Sequence, residues 1–198
     1  MADFSSEVPK RTPWGATQYA SKWLPGVYMV GTAGHGGLYI KSKAIKDLIP
    51  DYMKAVSTGG TGTWYEEDCA WAAAIVPLLC GMKNVVLLDG TDLYADAMKA
   101  LRTWYPEQYE KFFGVELAPG ESFIKDQKRF HEDNKERLVV VSASMYDEDK
   151  NFVKVWATKG GVRTFDAEEF MFLVPATEYE NRNRHGFVIE SPLKYQRI

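Results

Sequence analysis

A chain of 198 residues that is 45% hydrophobic and 14% aromatic, with 24 Lys and Arg against 27 Asp and Glu, has an ordinary globular makeup. Residues 1–99 hold 9 basic and 10 acidic side chains and residues 100–198 hold 15 and 17, so neither half shows the basic excess by which nucleic-acid binders grip phosphate. No apolar run approaches the ~18 residues of a membrane helix, and Cys69 and Cys80 make neither a disulfide framework nor a complete zinc site.

In chain order, residues 1–13 contain Pro9 and Pro13 and read as a flexible N-terminal arm, with no signal-peptide pattern. Residues 14–198 read as a single domain. Residues 17–24 suggest a short helix, punctuated by Pro25-Gly26. Residues 27–30 and 38–40 predict two strands of a hairpin around the glycine-rich stretch 31–37. Ser42 is a good N-cap for a helix to Ile49, which Pro50 ends or redirects. Residues 57–63 are loop by composition. Thr63 and Glu66 have capping-box spacing for a helix whose apolar run from Cys69 to Cys80 implies burial, with Pro77 kinking or ending it.

Residues 85–88 predict a short strand. Thr91 or Asp92 starts a helix with Leu93, Ala97, Leu101 and Trp104 on one face. Pro106 opens the next helix and Gly114 stops it. Residues 122–134 follow as a helix. Residues 138–143, 152–158, 162–165, 170–174 and 186–190 are strand candidates that together predict a C-terminal antiparallel β-meander. The class expected is α+β: central buried helices, antiparallel strands near the N-terminus and the meander at the C-terminus.

Chemistry concentrates in two segments, Gly31-Thr32-Ala33-Gly34-His35-Gly36-Gly37 and Trp64-Tyr65-Glu66-Glu67-Asp68-Cys69-Ala70-Trp71. Glycines at 34, 36 and 37 permit positive φ and close approach, so the first could form an anion nest with His35 as acid, base or ligand, or simply a tight turn. The catalytic candidates are His35, Glu66, Glu67 and Asp68. The acids also suit the positive end of a helix dipole. No resident cofactor is expected. The alternative is a divalent metal held by His35 with one or two of these carboxylates. Cys69 near a helix N-terminus could be a nucleophile with His35 or His131 as base, or a buried inert thiol.

Thr12-Pro13-Trp14-Gly15 and the two segments above resemble a domain family of unknown function found in bacteriophages, plasmids and integrated mobile elements of bacteria. Trp104-Tyr105-Pro106, Tyr109-Glu110, Pro119-Gly120-Glu121-Ser122, the stretch 173–180 and Gly186-Phe187-Val188-Ile189 extend the resemblance over most of the chain. It implies no catalytic role for any residue. What it implies is a setting: an accessory protein of a phage or mobile element in the host cytoplasm. The leading expectation is a protein-binding module that engages a host or phage protein, in a counter-defence role. Trp14, Gly34, Gly36, Gly37, Trp64 and Tyr65 are the binding candidates, because aromatic anchors dominate such interfaces. No membrane or primary nucleic-acid partner is expected, and the oligomeric state is open. A small hydrolase, metal-assisted or not, built on His35 and the 66–68 acids is the rival. A virion structural component is the third reading.

Overall fold

The computed structural model describes residues 4–82, 85–87 and 90–198. The chain divides into two compact units, Met1–Ile124 and Lys125–Ile198.

The first unit opens with a 3-10 turn, Ser5–Glu7, and a two-residue hairpin of β1 (Arg11–Thr12) and β2 (Gly15–Ala16). A four-stranded antiparallel sheet follows, in the order β3 (Tyr19–Leu24), β4 (Val27–Gly31), β5 (Gly36–Ile40) and β6 (Trp64–Glu66). Residues 17–24 were expected to be helical and are instead largely strand. Tyr19 to Leu24 pair along β4, and so short a segment has little intrinsic helicity to set against a ladder of backbone hydrogen bonds. From Phe4 onward, the stretch expected as an arm lies on this sheet. Val8 is buried with Ala20, Tyr28 and Val30, and Glu7 accepts a hydrogen bond from the Tyr28 hydroxyl at 2.7 Å.

Between β5 and β6 run α1 (Lys43–Lys46), capped by Ser42, and α2 (Asp51–Lys54), which begins after Pro50. The helix expected to start at a Thr63–Glu66 capping box starts later, as α3 (Ala72–Leu79). Thr63 and Glu66 belong to the strand region, where the Thr63 carbonyl accepts from Ile40 N–H. α3 carries Pro77 internally and ends two residues beyond it. Its small residues, Ala72, Ala73 and Ala74, let neighbours approach closely, and Ile75, Val76 and Leu79 are buried with Leu93, Ala97 and Leu101 of α4 (Leu93–Trp104). Val86 forms an isolated bridge to Asp92 rather than a strand of its own, and Leu88 of that expected strand lies outside the described residues. Asp92 caps α4, Pro106 opens α5 (Pro106–Phe113), and Gly114 ends it in the left-handed conformation at φ 66°.

The division between the units falls within α6 (Phe123–Asp133). In the second unit, β7 (Leu138–Met145), β8 (Phe152–Lys159) and β9 (Glu169–Pro175) are joined as consecutive antiparallel neighbours. After α7 (Ala176–Glu180), the chain adds β10 (Val188–Ile189) beside β7 and β11 (Gln196–Arg197) beside β9. The result is a curled, five-stranded antiparallel sheet, not the plain meander expected. Residues 162–165 form no strand. The chain leaves β8 through Gly160 and Gly161, both at positive φ, and Thr158 Oγ1 donates to the Val162 carbonyl, holding that stretch as a turn. Val155, Ala157, Phe172, Val174 and Ile189 form this unit's core. The α+β class and the N-terminal antiparallel strands are as expected. Among the described residues no helix is long and apolar enough to cross a membrane.

Candidate functional site

The sheet register brings the two segments together. β5 pairs with β6 so that Gly37 faces Glu66 and Tyr39 faces Trp64, and Glu67 N–H donates to the Gly36 carbonyl at 3.3 Å. His35 stands at the start of β5, in a turn closed by Thr32. Thr32 N–H and Oγ1 both donate to the His35 carbonyl, at 2.8 and 2.6 Å. Gly36 and Gly37 serve close approach, and none of Gly34, Gly36 and Gly37 takes the left-handed conformation that the sequence also permitted. Positive φ occurs at Gly15 and eleven other described glycines, but not at Gly34, Gly36 or Gly37. A Cβ on Gly36 would strike the Glu67 carboxylate, and one on Gly37 would strike the Trp14 ring and the Tyr65 carbonyl, whereas Gly34 has open space. Gly36 and Gly37 are buried within β5 and do not form an anion nest.

The imidazole of His35 is held between two carboxylates. Nε2 is 3.2 Å from Glu66 Oε1 and Nδ1 is 3.2 Å from Glu67 Oε1. A neutral ring donates to only one of the two, whereas a charged ring donates to both. Trp14 packs edge-on against His35 with centroids 5.6 Å apart, and edge-on against Trp64 at 5.9 Å. Trp64 in turn lies on Tyr39 at 4.5 Å. Trp14 is presented by the first hairpin, where Thr12 Oγ1 accepts from Trp14 N–H at 3.0 Å.

Glu66 does more than face His35. Its carboxylate accepts the backbone N–H of Asp68 at 2.7 Å and of Cys69 at 3.3 Å, and so orders the turn leading to α3. Cys69 Sγ lies 4.0 Å from Glu66 Oε2 and 3.5 Å from the Tyr105 hydroxyl. Burial first, and then the contact with Cys69, push the Tyr105 hydroxyl's pKa well above the ordinary range. Asp68 is exposed and joins the cluster through its N–H. Tyr65, expected at the binding face, is 0% exposed. It alternates away from Trp64 and Glu66 into the core, where burial raises its pKa and, among the described residues, its hydroxyl meets no hydrogen-bond partner. The sequence offers the Trp104-Tyr105-Pro106 motif but no sign that α4 ends beside Cys69, so Tyr105 enters the site from the structure alone.

The metal reading is overturned. Among the described residues no group of three or more His, Cys, Asp and Glu is placed to hold an ion. The reason is visible in the ring: its two nitrogens point to opposite sides, each to its own carboxylate, so the donors do not converge on one point. The same pairing directs His35 to Glu66 and Glu67, and the groups found beside the Cys69 sulfur are Glu66 and Tyr105. What remains is an open site, with the His35, Glu66 and Glu67 side chains 35%, 26% and 37% exposed.

A family model described as a domain of unknown function, DUF7007, matches residues 7–135. No curated protein and no solved structure matches the chain.

Proposed function

Because the chain belongs to the DUF7007 family, whose matched region holds every residue of the site just described, we propose that this site is a recognition surface and that the protein is a protein-binding module. The observation that carries the reading is the convergence of three separate segments, at Trp14, at His35 and at Trp64 to Glu67, on one half-exposed face. Tryptophans that are partly buried beside charged groups are the usual makeup of interface anchors. By the motif resemblance alone, the module belongs to a bacteriophage or mobile element and engages a host or phage protein in the host cytoplasm, in a counter-defence role.

The test is capture of a partner from host lysate by the tagged full chain, read by quantitative mass spectrometry beside Trp14→Ala and His35→Ala. The expected result is one enriched protein that either substitution reduces at least about tenfold, the scale of a single interface hot spot. No enrichment, or equal enrichment by folded variants, would remove this reading.

The 3.2 Å contacts of His35 favour a second one, a metal-independent hydrolase with His35 and Glu66 as an acid–base pair, since both lie within direct proton-transfer reach. Turnover of ester or amide substrates by the wild type but not by Glu66→Gln would select it.

A further inference from the structure

The outer edge of β7 is open. β10 pairs only with its first two residues, Leu138 and Val139, and the Phe187 carbonyl then takes the Val140 N–H at 2.9 Å. Among the described residues no strand pairs with this edge beyond that point. Ser142, Ala143, Ser144 and Met145 are all exposed, Met145 by 63%.

Which backbone groups face outward follows from the register. Tyr146 N–H donates to Phe152 on the β8 side, so by alternation Ser144 and Ser142 turn their backbone groups inward, and Ala143 and Met145 turn theirs to the open edge. The shift between Val140 and Ser142 is a bulge that ends the β10-covered segment and sets this parity.

Edge strands are normally guarded by charge, proline, bulges or cover, and here the bulge lies at the inner end of the open segment. The strand Leu-Val-Val-Val-Ser-Ala-Ser-Met has no charged residue and no proline. Its residues Ser142-Ala143-Ser144 also read the same in both directions. We infer that this edge pairs antiparallel with β7 of a second copy, about a two-fold axis through Ala143. Each Ser142 then lies opposite Ser144 of the second copy, and the two Ala143 residues exchange both backbone hydrogen bonds. The occupant is a second copy because the segment is complementary to itself: hydroxyl meets hydroxyl, methyl meets methyl, and no like charges meet. An isologous contact of this kind uses the same edge of both copies and so closes as a dimer. The three-residue ladder makes a weak, concentration-dependent association.

The test is sedimentation velocity of the full chain over the micromolar to millimolar range. The wild type is expected to show reversible dimerisation. The variant S142E/S144E puts Glu opposite Glu at both positions and is expected to weaken the dimer about tenfold, the sum of two like-charge cross-strand pairs. The variant S142K/S144E differs only at position 142 but puts Lys opposite Glu twice, and is expected to associate at least as well as the wild type and more strongly at low salt. A wild type monomeric throughout, dimers indifferent to both charge variants, or an edge that takes an extended peptide of another protein while the chain stays monomeric would each overturn the inference.

Discussion

At the level of single residues, the site is shaped by two glycines that cannot be replaced and one that can. Gly37→Ala forces a methyl group into the Trp14 ring and the Tyr65 carbonyl, and the carbonyl belongs to a paired strand that cannot yield. Overpacking of this kind costs about 1–3 kcal/mol, and urea unfolding should show it. Gly34→Ala meets nothing within 4 Å and needs no positive φ, so the same measurement should place it within about 0.5 kcal/mol of the wild type. The residue types of this site were legible in the sequence, because a histidine among glycines and three consecutive acids are unusual neighbours. Their roles were not. Glu66 reads as a helix cap next to Thr63, and only the β5–β6 register shows that it lies across from Gly37 and faces His35. Likewise Tyr65 reads as one more exposed aromatic, until strand alternation sends it inward while Trp64 and Glu66 face out.

Among the elements, those defined by local chemistry were the ones the sequence made plain. α4 and α5 carry their own punctuation: Asp92 accepts Ala95 N–H at 3.0 Å, Pro106 fits the first turn, and Gly114 takes φ 66°. Asp92→Ala should therefore cost about 1 kcal/mol through the lost cap, and Gly114→Ala about 1 kcal/mol through backbone strain. Leu101→Ala, at 0% exposure in the α3–α4 core, should cost about 2–5 kcal/mol. Thermal unfolding followed by circular dichroism should place Leu101→Ala well below the other two, which should lie close together. β3 escaped detection because its identity comes from pairing with β4. Residues 162–165 looked like a strand by composition, but the Gly160-Gly161 turn and the Thr158 hydroxyl take that backbone elsewhere.

Across the whole molecule, each unit contains carboxylates whose ionised form the fold supports: Glu7 and Asp47 in the first, Glu136 and Glu178 in the second. In the first, the Tyr28 hydroxyl foremost, and then Lys41, hold Glu7 below its ordinary pKa of 4.5. In the second, Lys194 foremost, and then Tyr195, do the same for Glu178. Both groups therefore bind protons more readily in the unfolded chain. Their contribution is complete above about pH 4.5 and is lost as pH falls through the lower folded values. Urea midpoints measured between pH 5 and pH 3 should fall for the wild type, and less steeply for Glu7→Gln and for Glu178→Gln, with residue-resolved NMR assigning each change to its own unit. The edge-on contact of Trp14 with His35 has an optical consequence. A guest that parts Trp14 from the ring it packs against changes the surroundings of that indole, so occupancy of the site can be followed as a change in Trp14 emission without attaching a dye.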